Sequence, residues 1–286
     1  MRRIAILNQK GGVGKTTTTV NLAAALAATG RTACVLDLDP QAHATTHLGV
    51  EPDGTVPSIY DVLVSNRPLA AIRQKVDENL TLCPADINLA AAEVELAGVV
   101  GREVILRESL AQDDGRFDYL LMDCGPSLGV LTLNALAAAD EVFIPLQPHF
   151  LALHGLSKLL ETTALVTRRI NPKLRVTGVI VCLYDAQTKL AQEVVTDLKA
   201  FLDKSRGLNV PWSEATVFDT RVRRNVKLAE CPSHGKSIFR YAPTCPGATD
   251  YAALANEVIG SVALEEPADL APPVTEATTE PLAVAG

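Results

Sequence analysis

No stretch of this 286-residue sequence approaches the roughly 18 uninterrupted apolar residues that span a bilayer. The N-terminus does not read as a secretory signal either, and export is not expected. MRRIAILNQK carries two arginines, but only Ile4–Leu7 is apolar before Asn8, and a signal needs a longer apolar region with a small-residue cleavage site. Cysteine pairing is also missing. Cys34, Cys83, Cys124, Cys182, Cys231 and Cys245 are scattered, with no CxxC spacing, which reads as reduced thiols in a cytoplasmic protein. Nor is there an excess of positive charge: formal net charge is −7, so no global basic field announces nucleic-acid binding. Residues 263–286 hold Glu265, Glu266, Asp269, Glu276 and Glu280 with no Lys or Arg, and the rest of the chain stands at −2. Any nucleic-acid contact must come from a local patch.

What the sequence does have is material for a core. Hydrophobic residues make up 48% and charged residues 21%, which suits one large soluble domain or two small ones. Apolar runs at 3–7, 33–38, 80–83, 119–123, 142–146 and 176–183 read as strands. Several are almost continuously apolar, as strands are when helices cover both faces of a parallel sheet. Helical patterns lie between them at 14–29, 89–96, 102–111, 128–138, 153–170, 190–202 and 251–262. Asn88 and Ser127 are candidate caps, and Gly30 is a candidate stop. This alternation predicts an α/β, doubly wound, mostly parallel sheet flanked by helices. There is no internal repeat. The domain is expected to cover residues 1–262. The Pro-, Thr-, Ala- and acid-rich remainder, 263–286, reads as a disordered tail, because it cannot offset the entropy of ordering.

The strongest local signal is Gln9-Lys10-Gly11-Gly12-Val13-Gly14-Lys15-Thr16-Thr17, placed after a strand and opening a helix. Glycines let successive backbone N–H groups point at phosphate oxygens, and the helix N-terminus favours an anion. Lys15 is expected on the β- and γ-phosphates and the Thr16 hydroxyl on Mg²⁺. The ordinary GxxxxGK[ST] pattern fails, since Gln9 stands where its first glycine belongs and Lys10 follows. A second lysine in the loop serves the same triphosphate or points toward another.

Here the sequence resembles the ParA/MinD group of deviant-Walker P-loop ATPases. KGGVGKTT matches the group's loop, Asp37-Leu38-Asp39-Pro40-Gln41 its second motif, and Leu120-Leu121-Met122-Asp123-Cys124 its Walker B strand. The similarity runs from residue 3 to about 262. The block from Arg224 to Lys236 is similar to the ParA/Soj chromosome-partition branch rather than to MinD.

The resemblance implies an ATP-sandwich homodimer in which Lys10 of each protomer reaches the other's phosphates. It implies that Gly11, Gly12, Val13, Gly14, Lys15, Thr16 and Thr17 hold ATP, that Asp39 orients the attacking water, and that Asp123 holds Mg²⁺. Asp37 is a weaker candidate for the magnesium shell. Asn225 matches a position at the adenine end of the nucleotide, although Arg223 replaces the proline usually found two residues before it. Gly125 stands where most relatives carry proline, which would loosen the switch after Asp123.

Arg221, Arg223, Arg224 and Lys227 place four cations in seven residues, and Lys236 follows. A charge run is usually a solvated face, but the resemblance implies nonspecific DNA binding here, sequence-independent and steeply salt-dependent. Gln187 stands where many relatives have another arginine that contacts DNA. Direct membrane attachment is not expected, because the tail is acidic and proline-broken. Sequence-specific reading is not expected either, because the phosphate loop begins within ten residues of Met1. Cys83 and Cys124 lack the glycine context of a bridging iron–sulfur site and read as packing residues. His43 and His47 are four apart but have no evident third ligand. His149 and His154 replace residues that are often acidic in relatives.

The expectation is therefore a cytoplasmic, nucleoid-associated ATPase with slow intrinsic hydrolysis. ATP and Mg²⁺ would drive dimerisation and DNA binding, and a ParB-like or adaptor partner would stimulate turnover to segregate a chromosome or plasmid. Three alternatives stay open: the same switch positioning a protein cargo, a metabolic P-loop enzyme acting on a small molecule, and a protein that holds ATP without turnover.

Overall fold

The computed structural model describes residues 1–261; the tail at 263–286 and the boundary at 262 lie outside them. In chain order the elements are β1 (Arg2–Ile6), α1 (Lys15–Ala28), β2 (Ala33–Leu38), α2 (His43–His47), α3 (Ile59–Ser65), β3 (Gln74–Asp77), β4 (Leu80–Cys83), α4 (Leu89–Glu95) and α5 (Ile105–Ala111). Then follow β5 (Tyr119–Cys124), α6 (Val130–Ala138), β6 (Glu141–Leu146), α7 (Ala152–Arg169), β7 (Arg175–Tyr184), α8 (Lys189–Asp203), β8 (Thr216–Arg223), α9 (Val226–Glu230), α10 (Ile238–Tyr241) and α11 (Pro246–Gly260). The strands form one sheet in the order β3-β4-β2-β5-β1-β6-β7-β8. Every pairing is parallel except β3 with β4.

The central strands are apolar on both faces because both faces are covered. In β1, Ala5 packs with the helices α3 to α8, whereas Ile4 and Ile6 pack with α1 and α11. β5 divides the same way, Leu120 and Met122 to one face, Tyr119 and Leu121 to the other. This period-2 division is what a strand between two helical layers requires.

Six strands and seven helices lie where the sequence places them, with ends shifted by a few residues. Two strands, β3 and β8, escape the apolar pattern because each is an edge of the sheet, with polar residues interspersed through it. The short helices α2, α3, α9 and α10 also carry too little pattern to be read. Gly30, at φ +84°, ends α1 and donates its N–H to the Ala27 carbonyl. Asn88 precedes α4 without a side-chain cap. Ser127 does not cap α6: Gly129 holds that position, and the Ser127 carbonyl accepts from Thr132 Oγ1 at 2.6 Å.

Strand order positions the site. β1 lies between β5 and β6, and the chain leaves it toward β2 on one side while β6 and β7 extend the other. The carboxyl ends of β1, β2 and β5 are adjacent at this reversal, the place where open α/β sheets bind ligands.

Candidate nucleotide site

The loop after β1 needs a backbone that most residues resist. Gly12 and Gly14 adopt φ of +72° and +94°, the region where glycine alone is unstrained. Gly14 is also the N-cap of α1, whose first turn contains no acidic residue. A ring of N–H groups at a helix start, with no carboxylate of its own, is suited to an anion.

The two lysines of the loop go to different places. Lys15 is 8% exposed and donates to the Lys10 carbonyl at 3.2 Å. Burial lowers its pKa, against the opposing pull of Asp123 and Asp39. Gln9 Nε2 is buried close by without a hydrogen-bond partner among the described residues. A buried cation and an orphaned donor at a helix N-terminus fit a phosphate group. Lys10 is exposed instead, and its ammonium touches Nε2 of His149, in the segment after β6.

Asp123, fully buried at the end of β5, accepts from Thr16 Oγ1 at 2.7 Å and from Thr19 Oγ1 at 3.0 Å. Burial, then the facing Asp37 carboxylate, pushes its pKa up to about 8. Asp37 and Asp123 are partners in the β2–β5 register, and two buried like charges resist joint ionisation. A hydroxyl and a carboxylate in contact, short of positive charge, form an oxygen donor set suited to Mg²⁺. Asp37, the weaker candidate for the magnesium shell, has both oxygens engaged within the chain. Its Oδ2 accepts from the Thr45 N–H at 2.8 Å and hydroxyl at 2.7 Å, and its Oδ1 from the Asp39 N–H at 3.2 Å. Asp37 thus braces the turn that carries Asp39. Asp39 itself is 7% exposed, and its Oδ1 caps the Gln41 N–H at 3.0 Å.

Thr19 and Thr45 are additions that the motifs do not name. Thr19 is legible in the sequence, since Thr16 and Thr19 are three apart on α1 and share a face. Thr45 is not, because only the fold brings the short helix α2 against β2.

The residues of the basic cluster are engaged in different ways by the fold. Arg221 and Arg223 lie in β8. The Arg221 guanidinium donates to the Phe218 carbonyl, while Arg223 pairs with Asp250 of α11 at 2.6 Å. Lys227 pairs with Glu230 at 2.8 Å and lies over the Tyr241 ring. Asn225 caps α9 by accepting the Lys227 N–H at 2.8 Å. Arg224 and Lys236 are exposed, and neither side chain has a partner among the described residues. His47 contacts Cys231 at 3.3 Å in the core, and no group of three or more His, Cys, Asp or Glu among the described residues could hold a metal ion.

A family model described as an AAA domain matches residues 1–176. The sporulation initiation inhibitor protein Soj of Bacillus subtilis is 45% identical over 257 residues, covering 89% of this chain and 97% of that protein. The chromosome-partitioning ATPase Soj of Thermus thermophilus is 46% identical over 262 residues, covering 92% and 97%. The chain belongs to the ParA/Soj family of chromosome-partitioning ATPases.

Among solved structures, a cobyrinic acid a,c-diamide synthase from Mycobacterium smegmatis, with bound ATP analogue and magnesium, superposes with a TM-score of 0.75. It is 36% identical, and the match covers 91% of this chain and 94% of that one. The apo form of McdA from Cyanothece has a TM-score of 0.77 at 20% identity, covering 91% and 100%, which is a likeness of fold alone. The eight-stranded, mostly parallel α/β sheet matches the fold of the ParA/MinD P-loop ATPases.

Proposed function

We propose that this ParA/Soj ATPase dimerises on Mg²⁺–ATP, binds DNA without sequence preference as a dimer, and is released when a partner protein stimulates hydrolysis. The division of labour between the two lysines supports this reading most. Lys15 is buried where its own chain's phosphates would lie, whereas Lys10 is exposed on the rim and free to leave His149 for an anion held by a second protomer. A cation delivered in trans stabilises charge on the transferring phosphoryl group and couples dimerisation to ATP.

The rim supplies a surface for that contact. Ile87, Val94 and Val100 are exposed after β4, and Phe150 and Leu151 after β6. Sheet order puts these apolar groups on either side of the phosphate loop, as a contact centred on that loop would require. Thr16 and Asp123 would hold Mg²⁺, which supplies charge neutralisation when bound. Asp39 would orient the water, with Asp37 holding its turn. Asn225 would lie toward the base, and Arg224 and Lys236 would lead the DNA contact. No helix among the described residues is long and apolar enough to cross a membrane, and the proposed surface is the nucleoid in the cytoplasm.

Lys10→Ala is expected to retain ATP binding while losing ATP-dependent dimerisation, read as molar mass by light scattering with and without Mg²⁺–ATP. An ATP-induced dimer of wild-type abundance in that variant removes Lys10 from the mechanism. A second reading, a small-molecule P-loop enzyme, draws on the 36% identity to the diamide synthase. The exposure of Lys10 on the rim favours a role in trans over that reading.

A further inference from the structure

We infer that Gly125 is a positioning residue for Asp39: by having no side chain it leaves the Asp39 carboxylate free to change rotamer, and so keeps intrinsic ATP turnover low. This rests on the proposed role of Asp39 in orienting the attacking water. Leu38 and Cys124 are partners at the ends of β2 and β5, so Asp39 and Gly125 are the next residues on adjoining strands. A Cβ on Gly125 would stand 3.4 Å from Asp39 Cγ and 3.5 and 3.6 Å from its two oxygens.

The fold does not demand glycine there. Gly125 is not among the glycines with positive φ, and a Cβ would meet its neighbours at ordinary van der Waals distance. The absent side chain therefore has its consequence at Asp39, whose carboxylate supplies the three nearest atoms. Among the described residues that carboxylate is held through one oxygen alone, by the Gln41 N–H. A carboxylate tethered at one oxygen and uncrowded beside Gly125 can spend time away from the pose that aligns water. Catalysis by orientation loses rate in proportion to that time.

A methyl group at 125 fills the gap without displacing Asp39, and it also removes glycine's extra backbone freedom. With the three staggered wells of χ1 equally populated, confinement to the productive one raises turnover about threefold. Gly125→Ala, and Gly125→Ser as a second filler, are expected to raise kcat about two- to threefold. The KM for ATP and the ATP-dependent dimer fraction should stay at wild-type values. Single-turnover hydrolysis, with the full-length chain in saturating excess over ATP, reads the chemical step directly. An unchanged or lower kcat in both variants, or a change confined to KM, overturns the inference. Asp39→Ala, measured alongside, separates the two layers. If it hydrolyses ATP at the wild-type rate, the reading of Asp39 itself fails. If it binds ATP but is inactive while Gly125→Ala equals wild type, only the role of Gly125 falls.

Discussion

Single residues in this protein carry charge states set by burial rather than by their ordinary solution chemistry. His47 is the clearest case outside the nucleotide site. It is 1% exposed, and burial lowers its pKa from 6.5 to about 4. The groups around it are the Cys231 thiol, itself pushed up to about 11 by burial, and backbone at Lys236. As pH falls below 6.5 the unfolded chain takes up a proton on this imidazole while the folded state resists it until about 4. Stability is therefore lost across that window as pH falls, and is fully present above it. At pH 5 the loss is about 2 kcal/mol. Urea unfolding of wild type and of His47→Gln at pH 7 and pH 5 isolates this contribution from the carboxylates. Wild type should lose about 2 kcal/mol more than the variant over that interval; equal losses would mean that His47 charges freely in the folded state.

Elements whose residues repeat an apolar pattern are legible in the sequence, and those placed by distant contacts are not. The run from Tyr119 to Cys124 is buried throughout, so its sequence alone marks a strand covered on both sides. β8 reads TVFDTRVR, because an edge strand has only one neighbour to satisfy. That conceals a structural use for part of the basic cluster. Asp250 of α11 accepts from the Arg223 backbone N–H at 2.9 Å and pairs with the guanidinium, joining β8 to the helix packed over it. The phosphate loop is readable because its chemistry depends on contiguous residues. The bracing of Asp37 by Thr45 and the closeness of Gly125 to Asp39 depend on where β2 and β5 end relative to each other, which no local spacing encodes. Asp250→Ala should lower stability by about 1–2 kcal/mol, since it orphans one backbone donor and breaks a pair whose arginine is half exposed. The denaturation midpoint checks this. A midpoint within error of wild type would show that α11 holds β8 by apolar packing alone.

At the scale of the whole molecule, an acidic protein binds a polyanion most readily through cations that its own carboxylates have not already engaged. The fold makes that distinction within one short cluster. Arg223 and Lys227 are held by Asp250 and Glu230, and Arg221 turns onto backbone carbonyls. Arg224 and Lys236 are left without side-chain partners among the described residues. Two unpaired cations of this cluster on each protomer would give the proposed dimer four phosphate contacts, so log K should fall against log salt with a slope of about −3.6 on duplex DNA. If all five basic residues of the cluster contacted phosphate, the slope would instead approach about −9. Fluorescence anisotropy on a nonspecific duplex across a salt series, with Mg²⁺–ATP, ADP or no nucleotide, reads this number directly. ATP-dependent binding with the shallow slope, abolished in Arg224→Ala/Lys236→Ala and retained in Arg223→Ala, would assign the contact to the unpaired cations. A slope near the steeper value would mean that the ion pairs open on DNA, so that binding must also overcome the Asp250 and Glu230 contacts. No binding in any nucleotide state would dismiss DNA as the surface that the ATP switch controls.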